Sequence, residues 1–185
     1  MYESEFPLDD SIIYLNHAAV SPWPQRTADA IKRFADENAA IGSRNYPTWV
    51  ATEDALRQQL QQLINAASSD EIALLKNTSE ALSVVAYGLP WRPGDNVVIS
   101  SQEFPSNRVV WESLQKYGVT TRVADISAGD SPETAIIEAL DNDTRLLSVS
   151  AVQYGSGLKL DLAVLGTACR ERDILFCVDA IQGLG

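Results

Sequence analysis

The sequence predicts an α/β domain of three layers, with a mostly parallel sheet flanked by helices on both faces. Two observations predict it. From Ile72 onward, short apolar runs alternate with segments of helix length, the mark of successive strand–helix units. Each run is also followed by a polar set, at the carboxyl ends of the strands where open parallel sheets hold their ligands.

The elements follow in order. An N-terminal arm, residues 1–24, leads into a helix over Thr27–Ala40, with Ala30, Ile31 and Phe34 as an apolar stripe. A second helix runs from about Trp49 to Ile64, with Leu56, Leu60 and Leu63 on one face. Ile72–Leu75 reads as the first strand and Thr78–Tyr87 as the helix after it. Val97–Ser100 is a clearer strand, followed by a helix over Ser106–Tyr117. Strand Val119–Ala124, helix Pro132–Leu140, strand Leu146–Val149, helix Leu162–Arg172 and strand Ile174–Val178 complete the alternation. Gly94-Asp95 and Tyr117-Gly118 are turn signals just ahead of strands.

Composition bounds the function. A chain of 185 residues is enough for one domain with a sizeable core. Its 25 acidic residues outnumber 14 basic ones, and the net charge of -11 repels phosphate backbones and anionic membrane surfaces. No nucleic-acid or membrane partner is therefore expected. A small anion remains admissible, because a few oriented N–H groups suffice to hold one. With His17 the single histidine, a Cys/His metal cluster cannot be assembled, and no metal is expected. Cys169 and Cys177 fall in a helix and a buried strand, where they read as core residues. No apolar run approaches a membrane span, and the acidic start lacks a signal region, so the expected location is cytoplasmic.

Four strand ends carry the candidate chemistry. Asn77-Thr78-Ser79-Glu80 opens a helix, where hydroxyls and uncapped N–H groups can take a phosphate. The same residues are also nearly a capping box, with Asn77 as the cap and Glu80 three residues on. Phe104, in Gln102-Glu-Phe-Pro-Ser-Asn107, can cover a planar ring or pack under its own helix. Gln153 and Tyr154, beside two glycines, can be polar ligands or can satisfy loop backbone. Asp179 directly follows an apolar run, where an acid is costly unless paired or poised at a site. Its partner there could be a metal, a cationic ring nitrogen or a helix N-terminus.

Taken together and in this order, these sets resemble the class V aminotransferases, a family that includes cysteine desulfurases, isopenicillin-N-epimerase-like proteins and kynureninases. Tyr14-Leu-Asn-His-Ala-Ala-Val-Ser-Pro22 is similar to the family's N-terminal segment. Lys76-Asn-Thr-Ser-Glu-Ala81 stands where the phosphate turn lies, and Val178-Asp-Ala-Ile-Gln-Gly183 matches the family's Val-Asp-Ala-x-Gln element. Gln102–Asn107, with Trp111 beyond, matches a version in which Phe replaces the stacking histidine of desulfurases.

The resemblance implies a pyridoxal-phosphate (PLP) enzyme of fold type I, acting on a small amino acid by transamination, epimerisation or β-lyase and desulfurase-like chemistry. It implies that Asp179 holds the pyridine nitrogen protonated and that Phe104 lies over the ring. Gln182 bonds the phenolic oxygen, with Gln153 a second polar neighbour. Thr78 and Ser79, with Asn77, hold the phosphate, and Asn16 and His17 line the substrate pocket. A homodimer is implied as well.

It further implies that residues 25–185 are the PLP-binding large domain, cut short on its C-terminal side, with the small C-terminal domain absent. The family's Schiff-base lysine lies beyond the Val-Asp-Ala-x-Gln strand. The lysines present, Lys32, Lys76, Lys116 and Lys159, do not stand in that context, so these residues alone are expected to be inactive. The competing reading is a non-catalytic α/β module that associates through an open sheet edge. A nucleotide-binding protein is disfavoured by the lack of a Gly-rich phosphate loop.

Overall fold

The computed structural model describes residues 2–184. The chain divides between Leu74 and Leu75 into two compact units.

The first unit holds the arm and two helices, α1 (Gln25–Ile41) and α2 (Tyr46–Ile64). Neither buries a residue. Phe34 of the expected apolar stripe meets the edge of Trp49 with ring centroids 5.1 Å apart, yet stays half exposed. α2 ends at Asn65, which takes the left-handed conformation and donates its N–H back to Gln61 and Gln62. A one-turn 3-10 helix at Ser69–Glu71 follows.

Ile72–Leu75 corrects the sequence reading: it is not a strand. The segment joins no sheet, and Ile72 alone of the four is buried. Its backbone carbonyl is taken instead by the Arg57 guanidinium at 2.7 Å. An apolar run reports a tendency to be buried, whereas a strand also needs a paired neighbour.

The second unit is the α/β domain. Four strands, β1 (Asn96–Ser100), β2 (Thr120–Ala124), β3 (Thr144–Ser150) and β4 (Leu175–Asp179), form a sheet in the order β2-β1-β3-β4 with every pairing parallel. Helices α3 (Thr78–Gly88) and α4 (Ser106–Glu112) cover one face, and α5 (Pro132–Ala139) and α6 (Leu162–Glu171) the other.

Alternation along the strands sorts the core. Val97, Ile99 and Leu146 pack with Leu82 and Ala86 of α3 and Val110 and Trp111 of α4. Val98, Leu147 and Val149 pack with Ile136 of α5 and Leu165 and Cys169 of α6. The helix expected to run to Tyr117 stops at Glu112 and tightens into a 3-10 turn over Ser113–Tyr117. There the Ser113 hydroxyl bonds back to Val110 O at 2.5 Å. Gly118 then turns into β2 with φ 79°, where an added Cβ would crowd Pro93.

Candidate cofactor site

A parallel sheet sends all its carboxyl ends to one edge, and here those ends are Ser100, Ala124, Ser150 and Asp179. The register pairs Ser150 with Asp179 and Ser148 with Cys177, so these side chains share one sheet face. Ser148 bonds to Asn107 of α4, which identifies that face as the one covered by α3 and α4.

α3 brings its N-terminus to the same edge. Its last turn meets the end of the α4 segment, where Tyr87 Oη lies 2.8 Å from Ser113 Oγ and Lys116 Nζ sits 5.1 Å above both the Tyr87 and Tyr117 rings. With their carboxyl ends together, α3 and α4 both start on the carboxyl side of the sheet.

At that start Asn77 caps α3, its Oδ1 accepting from Glu80 N at 2.9 Å, while Glu80 Oε2 accepts from Lys76 N at 2.9 Å. The capping reading of Asn77 therefore holds. It leaves the N–H groups of Thr78 and Ser79 without a partner among the described residues. Two free donors at the positive end of an eleven-residue helix can hold an anion.

Phe104 follows the β1 end. It is 48% exposed and meets Tyr154 edge-on, with centroids 5.0 Å apart. Tyr154 is carried by the turn after β3, closed by Gln153 N to Leu158 O at 2.9 Å and by Ser156 Oγ to Gln102 Oε1 at 2.7 Å.

Asp179 is 8% exposed. Its Oδ1 accepts from Ile181 N at 3.0 Å, which bends the chain into the turn carrying Gln182, itself half-buried. The Asp179 carbonyl accepts from Ala151 N at 2.8 Å and locks that turn to the β3 end. Asn16 and His17 lie in the first unit. The Asn16 carbonyl accepts from Tyr14 Oη and Ala19 N, and the His17 ring packs edge-on against Tyr14.

Gln153 is buried, with its amide NH2 engaged by neighbours. It is 1% exposed, and its Nε2 donates to Ser100 Oγ and Glu103 Oε1, each at 3.1 Å. This exposes the residue that the sequence reasoning passed over. Glu103 is buried at the centre of a polar cluster with Ser100, Asn107, Ser150 and Gln153. An acid three residues after a buried strand was the available signal, the same signal that singled out Asp179.

Cys177 feels the charge of Asp179 and of Glu103. Burial, followed by the negative charges of Asp179 and Glu103, pushes its thiol above the ordinary range, against a lowering hydrogen bond with Ser148. Burial raises Cys169 in the same way. Both cysteines are free.

Solved structures share this arrangement of elements. The Escherichia coli cysteine desulfurase CsdA superposes with a TM-score of 0.86 at 25% identity, covering 99% of this chain and 48% of that one. The C-DES protein, in a mutant with glycine covalently linked to its PLP cofactor, gives 0.87 at 23% identity over 98% of this chain and 50% of that one, a likeness of fold. The fold is thus that of PLP-dependent enzymes. In sequence, the aminotransferase class-V family model matches residues 13–185, and the chain belongs to that family.

A probable cysteine desulfurase of Methanothermobacter thermautotrophicus is 35% identical over 98% of this chain and 46% of its own length. The cysteine desulfurase of Pectobacterium atrosepticum is 29% identical over 98% and 48%. The chain spans about half the length of the curated relatives it matches. Among the described residues no helix is long and apolar enough to cross a membrane, and no group of three or more potential metal ligands occurs.

Proposed function

We propose that residues 75–184 form the cofactor cradle of a PLP-dependent enzyme acting on a small amino acid. The observation that carries this reading is the set of groups at the carboxyl ends of the strands: a helix start with two unpartnered N–H groups, a half-exposed aromatic ring and a buried acid. That set fits a planar, phosphorylated, basic heterocycle.

When bound, PLP supplies an electron sink for a substrate carbanion. The chain's own residues do the rest. Thr78 and Ser79 hold the phosphate with backbone N–H groups and hydroxyls, with Asn77 beside them in sequence. Phe104, steadied by Tyr154, covers one face of the ring and excludes water from it. Asp179 keeps a proton on the ring nitrogen, with its carboxylate aimed by Ile181 N. Gln182 meets the phenolic oxygen. Phenylalanine cannot shuttle protons as histidine does, so position 104 favours transamination or epimerisation over desulfuration. Asn16 and His17 are proposed to contact the substrate, and the protein to work as a homodimer.

None of the four lysines is proposed to anchor the cofactor, since none stands in the sequence context of the family's Schiff-base lysine. Lys116 is held over Tyr87 and Tyr117 at the opposite end of the sheet, and Lys32, Lys76 and Lys159 are exposed. These residues alone are therefore proposed to hold PLP without a covalent bond and without turnover. Titration with PLP, with pyridoxal as the phosphate-free control, tests the reading. Saturable binding of PLP at least tenfold tighter than pyridoxal is expected, and equal or unsaturable binding of the two would overturn it.

A further inference from the structure

Glu103 joins the carboxyl ends of two strands to the start of a helix. Its Oε1 accepts from Ser100 Oγ at 2.7 Å, Ser150 N at 3.0 Å and Gln153 Nε2 at 3.1 Å. Its Oε2 accepts from Ser150 Oγ at 2.6 Å, Asn107 Nδ2 at 2.8 Å and Ser150 N at 3.1 Å. Every contact is a neutral donor, and no lysine or arginine among the described residues pairs with it.

A carboxylate that only accepts dictates the sense of any amide beside it. Gln153 must turn its NH2 toward Glu103 and its oxygen away. That oxygen is buried and has no hydrogen-bond partner among the described residues. A glutamine oriented by its own needs would not leave an acceptor orphaned, because buried polar groups are paired as a rule. The orphan marks an orientation imposed by Glu103.

We propose that Glu103 is a positioning residue: it fixes the Gln153 amide with its oxygen facing away and holds the next residue, Phe104, with its ring against Tyr154. The proposal deepens the cofactor reading and rests on it for its bearing on catalysis. Its test uses protein without cofactor, so failure of one leaves the other standing. Ser100, Asn107 and Ser150 pin the carboxylate from three elements, which leaves the backbone entering Phe104 little freedom.

The experiment follows the Gln153 side-chain NH2 pair and the Phe104–Tyr154 ring contact by nuclear magnetic resonance, in the unmodified protein and in Glu103→Gln. In the unmodified protein the Gln153 NH2 should exchange about tenfold or more slowly than that of exposed Gln58, the factor that one hydrogen bond to a charged group supports. In Glu103→Gln the introduced amide can donate to Gln153 Oε1, so the Gln153 amide turns over, its protection falls by a similar factor and the ring contact weakens. A Gln153 NH2 that exchanges as fast as Gln58 in the unmodified protein overturns the proposal, whether or not the variant folds. So does a folded variant in which both signals are unchanged.

Discussion

Asp179→Asn removes a charge and almost no shape. The Asp179 oxygen that accepts from Ile181 N at 3.0 Å has an equivalent in asparagine, so the turn carrying Gln182 should survive. Folding stability is then expected to change by less than about 1 kcal/mol, the scale of one neutral hydrogen bond. The loss should fall on the cofactor. A hydrogen bond between charged partners contributes about 1.5–3 kcal/mol, and at 8% exposure Asp179 is little screened by water. Converted at about 1.4 kcal/mol per decade, PLP should bind roughly 10- to 150-fold more weakly. The same variant has a second readout. Burial is the main cause of the raised Cys177 thiol, but the Asp179 charge adds to it. Removing that charge should make Cys177 more acidic and shift its alkylation profile to lower pH. Affinity comes from fluorescence titration, and reactivity from peptide-resolved mass spectrometry. Unchanged PLP affinity together with an unmoved Cys177 profile would refute the placement of Asp179 at the site.

Other outcomes follow from single contacts. Asn77→Ala should cost about 1 kcal/mol of stability through the lost cap, read by urea unfolding, and should weaken PLP binding as the first turn frays. Gly118→Ala should cost more than about 1 kcal/mol, since alanine is strained at positive φ and its Cβ would lie 3.1 Å from Pro93; a midpoint equal to that of the parent would show that the turn relaxes. The raised thiols of Cys169 and Cys177 favour the folded state below the ordinary thiol value of 9.0. That contribution should be lost as pH rises from there through the raised folded values, because the unfolded chain releases those protons first. The fall in melting temperature between pH 8 and 10.5 should therefore be shallower in a Cys169→Ala, Cys177→Ala variant, and an equal slope would contradict the assignment.

The layers of the second unit were legible because each strand there is a burial signal that also finds a neighbour. Val97–Ser100, Leu146–Val149 and Ile174–Val178 all fall within two residues of β1, β3 and β4 at either end, with β3 extended by Thr144 and Ser150. Ile72–Leu75 carries the same signal without a partner, and pairing is not written in a run of four apolar residues. The ends of the Ser106 helix were half legible: its start at Pro105 is local chemistry, whereas its early tightening depends on Ser113 bonding backward to Val110. Asp179 and Phe104 could be singled out from their own neighbourhoods. Glu103 carries the same local signal as Asp179, but its part as a hub does not show there, because its partners Ser150 and Gln153 lie 47 and 50 residues away and only the sheet joins them. Between a polar ligand and a loop residue the sequence leaves Gln153 open for the same reason, since the acid that captures its amide is remote in sequence.

Whether Thr78, Ser79, Phe104, Asp179 and Gln182 face one bound PLP is decided by a chemical-shift map of the 15N-labelled chain titrated with PLP. Saturable shifts are expected on the Thr78 and Ser79 amides, the Phe104–Tyr154 pair and the Asp179–Gln182 turn, with Tyr87 and Lys116 at the far end of the sheet unmoved. Saturable shifts centred elsewhere, or none at the Thr78 and Ser79 amides, would contradict that placement.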